Sequence, residues 1–331
     1  MRPKLTIVTA IALASSSTVG AQALTQTQAP VLEAASVPAG IDRSTQTDDV
    51  HFRSDSTQRM TVPVLLSGQG PYRFLVDTGA DRTAISREVA RSLQFVSSEP
   101  ALLHSISGAS TITTARVPLL QLTRNEVRGI NAPLLEAVNI GADGILGVDS
   151  LRSLRVMFDF QNDTMSIVPS AVPDFRAEPG TIVVQGQRRN GRLVVTEATA
   201  NDHPLTVVVD TGSQISIGNM ALRQALLGSH VLESSGQVEL ISVTGDKIMG
   251  EYMFLRDLEI AGVGLKGLAI VFADAHTFKQ LKLDKKPALL LGMNAMRAFK
   301  KVSIDFTSRK LRVVLPQESA LDLRIASSRL R

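Results

Sequence analysis

The stretch Phe74-Leu75-Val76-Asp77-Thr78-Gly79-Ala80 returns 133 residues later as Val207-Val208-Val209-Asp210-Thr211-Gly212-Ser213. Each copy is an apolar run that reads as a strand and leads straight into Asp-Thr-Gly. A strand sets its last side chain at a fixed height, and a glycine two residues on lets the backbone turn with no Cβ in the way. At average residue usage, Asp-Thr-Gly is expected well under once by chance in a chain of 331 residues. One copy alone reads equally well as an ordinary strand-end turn. Two copies, each behind three apolar residues, point to two carboxylates presented in the same way.

The rest of the chain repeats around these two anchors. Arg59 matches Arg192, Pro71 matches Pro204 and Asp77 matches Asp210 at a constant offset of 133. Leu120 to Ile130 matches Leu258 to Leu268 at offset 138, and Ile145-Leu146-Gly147 matches Leu290-Leu291-Gly292 at offset 145. Val156 to Phe160 then matches Val302 to Phe306 at offset 146. Landmarks in one order with a slowly growing offset indicate two copies of one supersecondary unit, the second with small insertions. This predicts lobe one over 59–170 and lobe two over 180–316, joined by 171–179. Most of each lobe reads as strand. Met60 to Leu66 and Leu193 to Ala198 lead through turns into the two aspartate strands. Short helices are expected after Ser86 as an N-cap, over 219–227, and after Gly147 and Gly292.

On these residues the chain resembles the aspartic proteases, in which two such loops face each other across a real or pseudo two-fold axis. Leu75 to Ala84 (LVDTGADRTA) is most similar to the retroviral-type branch, and Ser213 after the second motif is similar to the pepsin branch. The resemblance implies an all-β fold with a few short helices, built as two homologous acid-protease (retropepsin-like) lobes with the active site between them. It implies that Asp77 and Asp210 are catalytic: two carboxylates sharing one site cannot both ionise readily, so one keeps a proton near neutral pH. The ionised one takes a proton from water while the neutral one hydrogen-bonds the scissile carbonyl. Thr78 and Thr211 are then the pair whose hydroxyls cross-link the loops, and Gly79 and Gly212 supply N–H groups to the carboxylates. The resemblance to pepsin-like enzymes implies that the Ser213 hydroxyl donates to the outer oxygen of Asp210, so that Asp210 carries more of the charge and Asp77 more of the proton. The apolar-apolar-Gly segments at 145–147 and 290–292 match the family's second signature and are structural. Turns at Ser107-Gly108-Ala109 and Thr244-Gly245-Asp246 are candidates for flaps over the substrate or for ordinary hairpins, with Gly108 and Gly245 at their centres. The retroviral pattern places an Arg directly after the second signature, paired with an acid near the first motif. Here Val148 holds that position, which leaves Asp81 without that partner.

Composition narrows the setting. Hydrophobic residues make up 44% and charged residues 20%, enough for a two-lobed globular core. A net charge of +4, with no basic run interleaved with aromatics, gives no reason to expect nucleic acid as a partner. The absence of cysteine excludes disulfides, thiolate metal sites and cysteine nucleophiles. Met1 to Lys4 is basic, Leu5 to Ala14 apolar, and Ala21-Gln22-Ala23 a small-x-small site. That order reads as a signal peptide over 1–23, cleaved near Ala23. About ten apolar residues are too few to span ~30 Å of hydrocarbon, so no membrane span is expected. The expected location is periplasmic or secreted. Residues 24–58 are polar and aperiodic, a linker or short prosegment expected to be disordered. The tail 317–331 reads as a short amphipathic helix or a frayed end.

Competing signals are weak. Gly262-Val263-Gly264-Leu265-Lys266-Gly267 fits a dinucleotide-binding spacing, but strand rather than helix follows it. His51, His104, His203, His230 and His276 show no metal-ligand spacing, and there is no G-x-S-x-G. The sequence thus predicts a monomeric aspartic endopeptidase acting on peptides or proteins, with no cofactor and no metal. The alternatives are a catalytically silent peptide-binding protein of the same fold, or an assembly protein with a vestigial cleft.

Overall fold

The computed structural model describes residues 60–172, 178–227 and 232–316, with short strands at 12–14, 32–34, 49–51 and 53–54. Apart from those strands, the segments read as signal peptide (1–23), linker or prosegment (24–58) and tail (317–331) lie outside the described residues, as does Gly228. Among the described residues, the six helices span four to seven residues each and the body is strand.

Each half forms a sheet with the same strand order. In the first, Met60–Leu66, Gln69–Val76, Gly144–Leu146, Ala84–Ser86, Asn125–Leu135, Ala109–Leu122 and Ser97–His104 follow one another. In the second the order is Arg192–Val195, Thr206–Val209, Ala288–Leu291, Ser216–Gly218, Val263–Phe272, Lys247–Ile260 and Leu232–Ile241. The repeat read from the sequence is thus a repeat of topology. The G-x-G-x-x-G stretch falls in the hairpin turn and return strand of the second half, with no helix behind it.

The strand that ends in Asp77 pairs in parallel with the apolar-apolar-Gly strand, Leu75 opposite Ile145 and Val76 opposite Leu146. Val208 and Val209 pair likewise with Leu290 and Leu291. Parallel strands covered on both faces read as continuous apolar runs, and these residues are all buried. Gly147 and Gly292 let the next segment cross the loop behind each aspartate. An added Cβ would lie 2.4 Å from the Arg82 backbone in one lobe and 2.6 Å from the Ile215 backbone in the other.

The helices are local punctuation. Ser86 caps α1 (Arg87–Ser92) by accepting from Val89 N–H, with Glu88 in the positive first turn. Asn219 caps α4 (Met220–Leu226), the fourth helix after α2 (Ala137–Ile140) and α3 (Val148–Leu151). α5 (His276–Gln280) and α6 (Met293–Met296) follow. A third, six-stranded sheet joins the halves: Leu154–Asp159 runs antiparallel to Lys301–Asp305, with Val156 opposite Ile304. Each lobe so contributes its last hairpin to one shared sheet.

Candidate active site

The two aspartates are positioned from behind by the parallel strands. Asp77 N–H donates to Leu146 O and Asp210 N–H to Leu291 O, both at 3.0 Å. The loops are then tied to each other. Thr78 N–H donates to Thr211 Oγ1 and Thr211 N–H to Thr78 Oγ1, each at 3.0 Å. Thr78 Oγ1 donates to Val209 O at 2.9 Å and Thr211 Oγ1 to Val76 O at 2.7 Å. Each hydroxyl donates its one proton across the lobe boundary and accepts one bond back, so this buried polar interface is fully paired.

Close approach explains the glycines. A Cβ on Gly79 would lie 2.5 Å from Asp210 Oδ1, and one on Gly212 would lie 2.2 Å from Asp77 Cγ. Each loop's glycine therefore leaves room for the other loop's carboxylate. Gly79 N–H and Ala80 N–H donate to Asp77 Oδ1 at 2.8 and 3.0 Å, and Gly212 N–H donates to Asp210 Oδ1 at 3.0 Å. The outer oxygen of each, Oδ2, is buried and takes no hydrogen bond from the surrounding chain.

Both carboxyls are wholly buried, and both hold protons more tightly than ordinary ones. Burial, followed by the charge of Asp210, pushes Asp77 well above the carboxylate range, against the N–H groups of Gly79 and Ala80 and the charge of Arg192. Burial pushes Asp210 up to about 7, against Arg192, the N–H groups of Gly212 and Ser213, and the neighbouring Asp77 carboxyl. The pair titrates as one unit. Burial and mutual repulsion therefore favour a state in which the pair shares one proton near neutral pH.

The Ser213 hydroxyl does not make the contact expected of it. Ser213 Oγ donates to Ile215 O at 2.6 Å and not to Asp210; only its backbone N–H serves the carboxylate. The loop turns back behind Ser213 and brings the Ile215 carbonyl to the hydroxyl. The charge of Arg192 bears on both carboxyls. It is a lobe-two residue, 1% exposed, whose Nε donates to Gly79 O at 2.8 Å and whose Nη2 lies 3.2 Å from Asp81 Oδ1. Gly79 C=O and Ala80 N–H belong to one peptide unit: Arg192 holds one end and Asp77 Oδ1 the other. Asp81, which lacks the retroviral-type arginine because Val148 stands there, receives its arginine from the opposite lobe. The sequence carried a signal for this, since Arg192 and Arg59 are a matched pair. In the sequence repeat, Gln214 stands at the position equivalent to Asp81.

The two candidate flap turns lie between the lobes. Ile106, beside Gly108, is fully buried in the apolar cluster of lobe two with Val208, Ile217 and Leu290. Val243, beside Gly245, is buried in the cluster of lobe one with Leu75, Ala84 and Ile145, which are the repeat equivalents of those three. Each turn therefore places one aliphatic side chain in the other lobe, and Ser107 Oγ reaches Asp246 Oδ2 between the tips at 3.4 Å. Sequence reasoning singled out the glycines and missed these aliphatic anchors, whose pairing depends on the folded symmetry. Among the described residues, no three His, Cys, Asp or Glu side chains cluster as a metal site.

A two-lobed β fold with paired Asp-Thr-Gly loops, clamped threonine to threonine, defines the acid-protease class. The family model for aspartyl proteases matches residues 62–150 and again 196–295, together more than half of the chain, and the chain belongs to that family. No match was found among curated proteins.

Proposed function

We propose that this chain is an aspartic endopeptidase that hydrolyses peptide bonds with a water molecule activated between Asp77 and Asp210. The observation that carries this reading is the dyad: two wholly buried carboxyls in one site, both holding protons more tightly than ordinary carboxylates, with both Oδ2 atoms taking no hydrogen bond from the surrounding chain. Ionised Asp210 takes a proton from water as its oxygen attacks the scissile carbonyl carbon. The Asp77 proton stabilises the carbonyl oxygen as it becomes tetrahedral. Collapse of that intermediate returns a proton to the leaving nitrogen and restores one proton to the dyad. One chain supplies both halves of the dyad, so a monomer with pseudo-two-fold symmetry suffices, and the two tips serve as flaps. The N-terminal basic–apolar–small pattern supports action in the periplasm or outside the cell.

A mixed peptide library incubated with the protein, with and without a statine-type transition-state analogue, tests the reading. Cleavage that the analogue blocks supports it. Binding of peptides without cleavage at any pH favours the silent peptide-binding alternative.

A further inference from the structure

The first tip is held to lobe two by more than Ile106. His104, buried at the end of the strand Ser97–His104, points Nδ1 at His276 Nε2 of α5, 2.9 Å away. The ring centroids are 5.1 Å apart and the planes differ by 9°. With so short an N···N contact, that separation means the rings meet edge to edge in a shared plane. The Gln280 amide lies 2.7 and 2.9 Å from the two ring nitrogens of His104, and the His276 backbone N–H donates to Ile106 O at 2.8 Å. Lobe-one residues 104–106 and the helix α5 of lobe two are thus fastened side chain to side chain and backbone to backbone. Nothing in the second tip corresponds to this pair: Asp246 accepts there from Thr244 Oγ1 and Ser107 Oγ.

We propose that the His104–His276 pair is a proton-sensitive latch that keeps the first tip closed over the dyad near neutral pH and releases it in acid. This rests on the endopeptidase reading for its purpose, but not for its test. An imidazole-to-imidazole hydrogen bond needs one donor and one acceptor nitrogen. Two imidazolium rings would set N–H against N–H at 2.9 Å, so the closed latch holds at most one proton beyond the neutral pair. The surroundings favour the uncharged state. Burial, followed by Lys279, lowers the pKa of His276, with Asp274 acting in the opposite sense. Asp274 and Lys279 are themselves paired at 2.8 Å. From the tip, Ser105 and Ser107 bring no charge, and Asp246 on the facing tip is engaged as above. From the neighbouring hairpin, Asn190 contacts Gln280 O at 3.4 Å. Histidines released into water titrate near 6.5, so the open form takes up the second proton first. Closure is then fully favoured above about pH 6.5 and is lost as pH falls toward the depressed value of the closed form. The open-to-closed ratio rises up to about tenfold per pH unit across that window.

The chain has no cysteine, so spin labels on Ala109→Cys and Met220→Cys report the distance from the first tip to lobe two without background. The expected result is one short distance at pH 8 and a growing longer population from pH 6.5 to 5, with that growth absent in His276→Gln, which can hydrogen-bond but does not titrate. A distribution unchanged between pH 8 and 5, or the same acid-driven change in His276→Gln, overturns the proposal. Nitrogen chemical shifts of the two rings in the unsubstituted chain provide a second reading that needs no variant. One ring remaining neutral well below pH 6.5 supports the latch, and two rings titrating at the ordinary value refute it. Peptide cleavage enters neither measurement, so failure of the latch and failure of the endopeptidase reading are separable.

Discussion

Arg192→Met removes the guanidinium while keeping much of its apolar stem, and two consequences follow from the geometry. The first is stability. Gly79 O is buried and loses a charged donor at 2.8 Å, a change that costs about 1–3 kcal/mol. The ion pair with Asp81 is lost as well, but Asp81 is 22% exposed and can turn to water, so this adds about 0–1 kcal/mol. A total of about 1–4 kcal/mol corresponds to a drop in melting temperature of roughly 1–6 °C for a chain of this size. The second consequence is the acid limb of kcat/KM. Arg192 lowers the pKa of both carboxyls, so its removal disfavours their ionised forms and moves the acid limb to higher pH. Arg192→Lys separates the two effects: the charge remains and the fork to Gly79 and Asp81 does not. It should lose stability while keeping the acid limb near that of the parent. The assay is a pH–rate profile on a cleaved peptide beside thermal melts of the parent and both variants. An Arg192→Met protein that still folds and cleaves with an unmoved acid limb refutes the claim that this guanidinium favours the ionised forms of the dyad.

Three other outcomes are expected. Ser213→Ala should leave the acid limb in place and cost only the hydrogen bond to Ile215 O, about 0.5–1.5 kcal/mol by denaturant titration; a shift of the limb would return the hydroxyl to Asp210. Asp210→Asn should stabilise the fold at pH 8 on the order of a few kcal/mol and much less at pH 4, because a folded pKa of about 7 against 3.8 makes the parent lose stability as pH rises between those values. Equal effects at both pH values would contradict it. Specific activity should stay flat on dilution, whereas a steep loss with a dimer peak by light scattering would show that one chain does not complete the site.

The fold was legible because its signals are local and doubled. Apolar runs into Asp-Thr-Gly, the apolar-apolar-Gly repeats and the offset between halves all lie in short stretches, and the parallel pairing of Leu75 with Ile145 follows from them. The threonine clamp was legible only through resemblance, since its bonds join residues 133 apart. What stayed hidden depends on side-chain direction in three dimensions. Sequence cannot say that the Ser213 hydroxyl turns to Ile215 O and not to Asp210. Arg192 was visible as a repeat of Arg59 but not as a residue that crosses to the opposite lobe. His104 and His276 showed no ligand spacing because they come from different lobes, 172 residues apart.

The central claim is that Asp77 and Asp210 form one acid–base unit, and each contributes half of it. Asp77→Asn and Asp210→Asn, each assayed on a cleavable peptide at its own best pH and each checked for a retained fold by circular dichroism, test this most directly. The account predicts that either substitution alone abolishes cleavage, since residues acting as a unit fail together. Substantial cleavage by either folded single variant would contradict it.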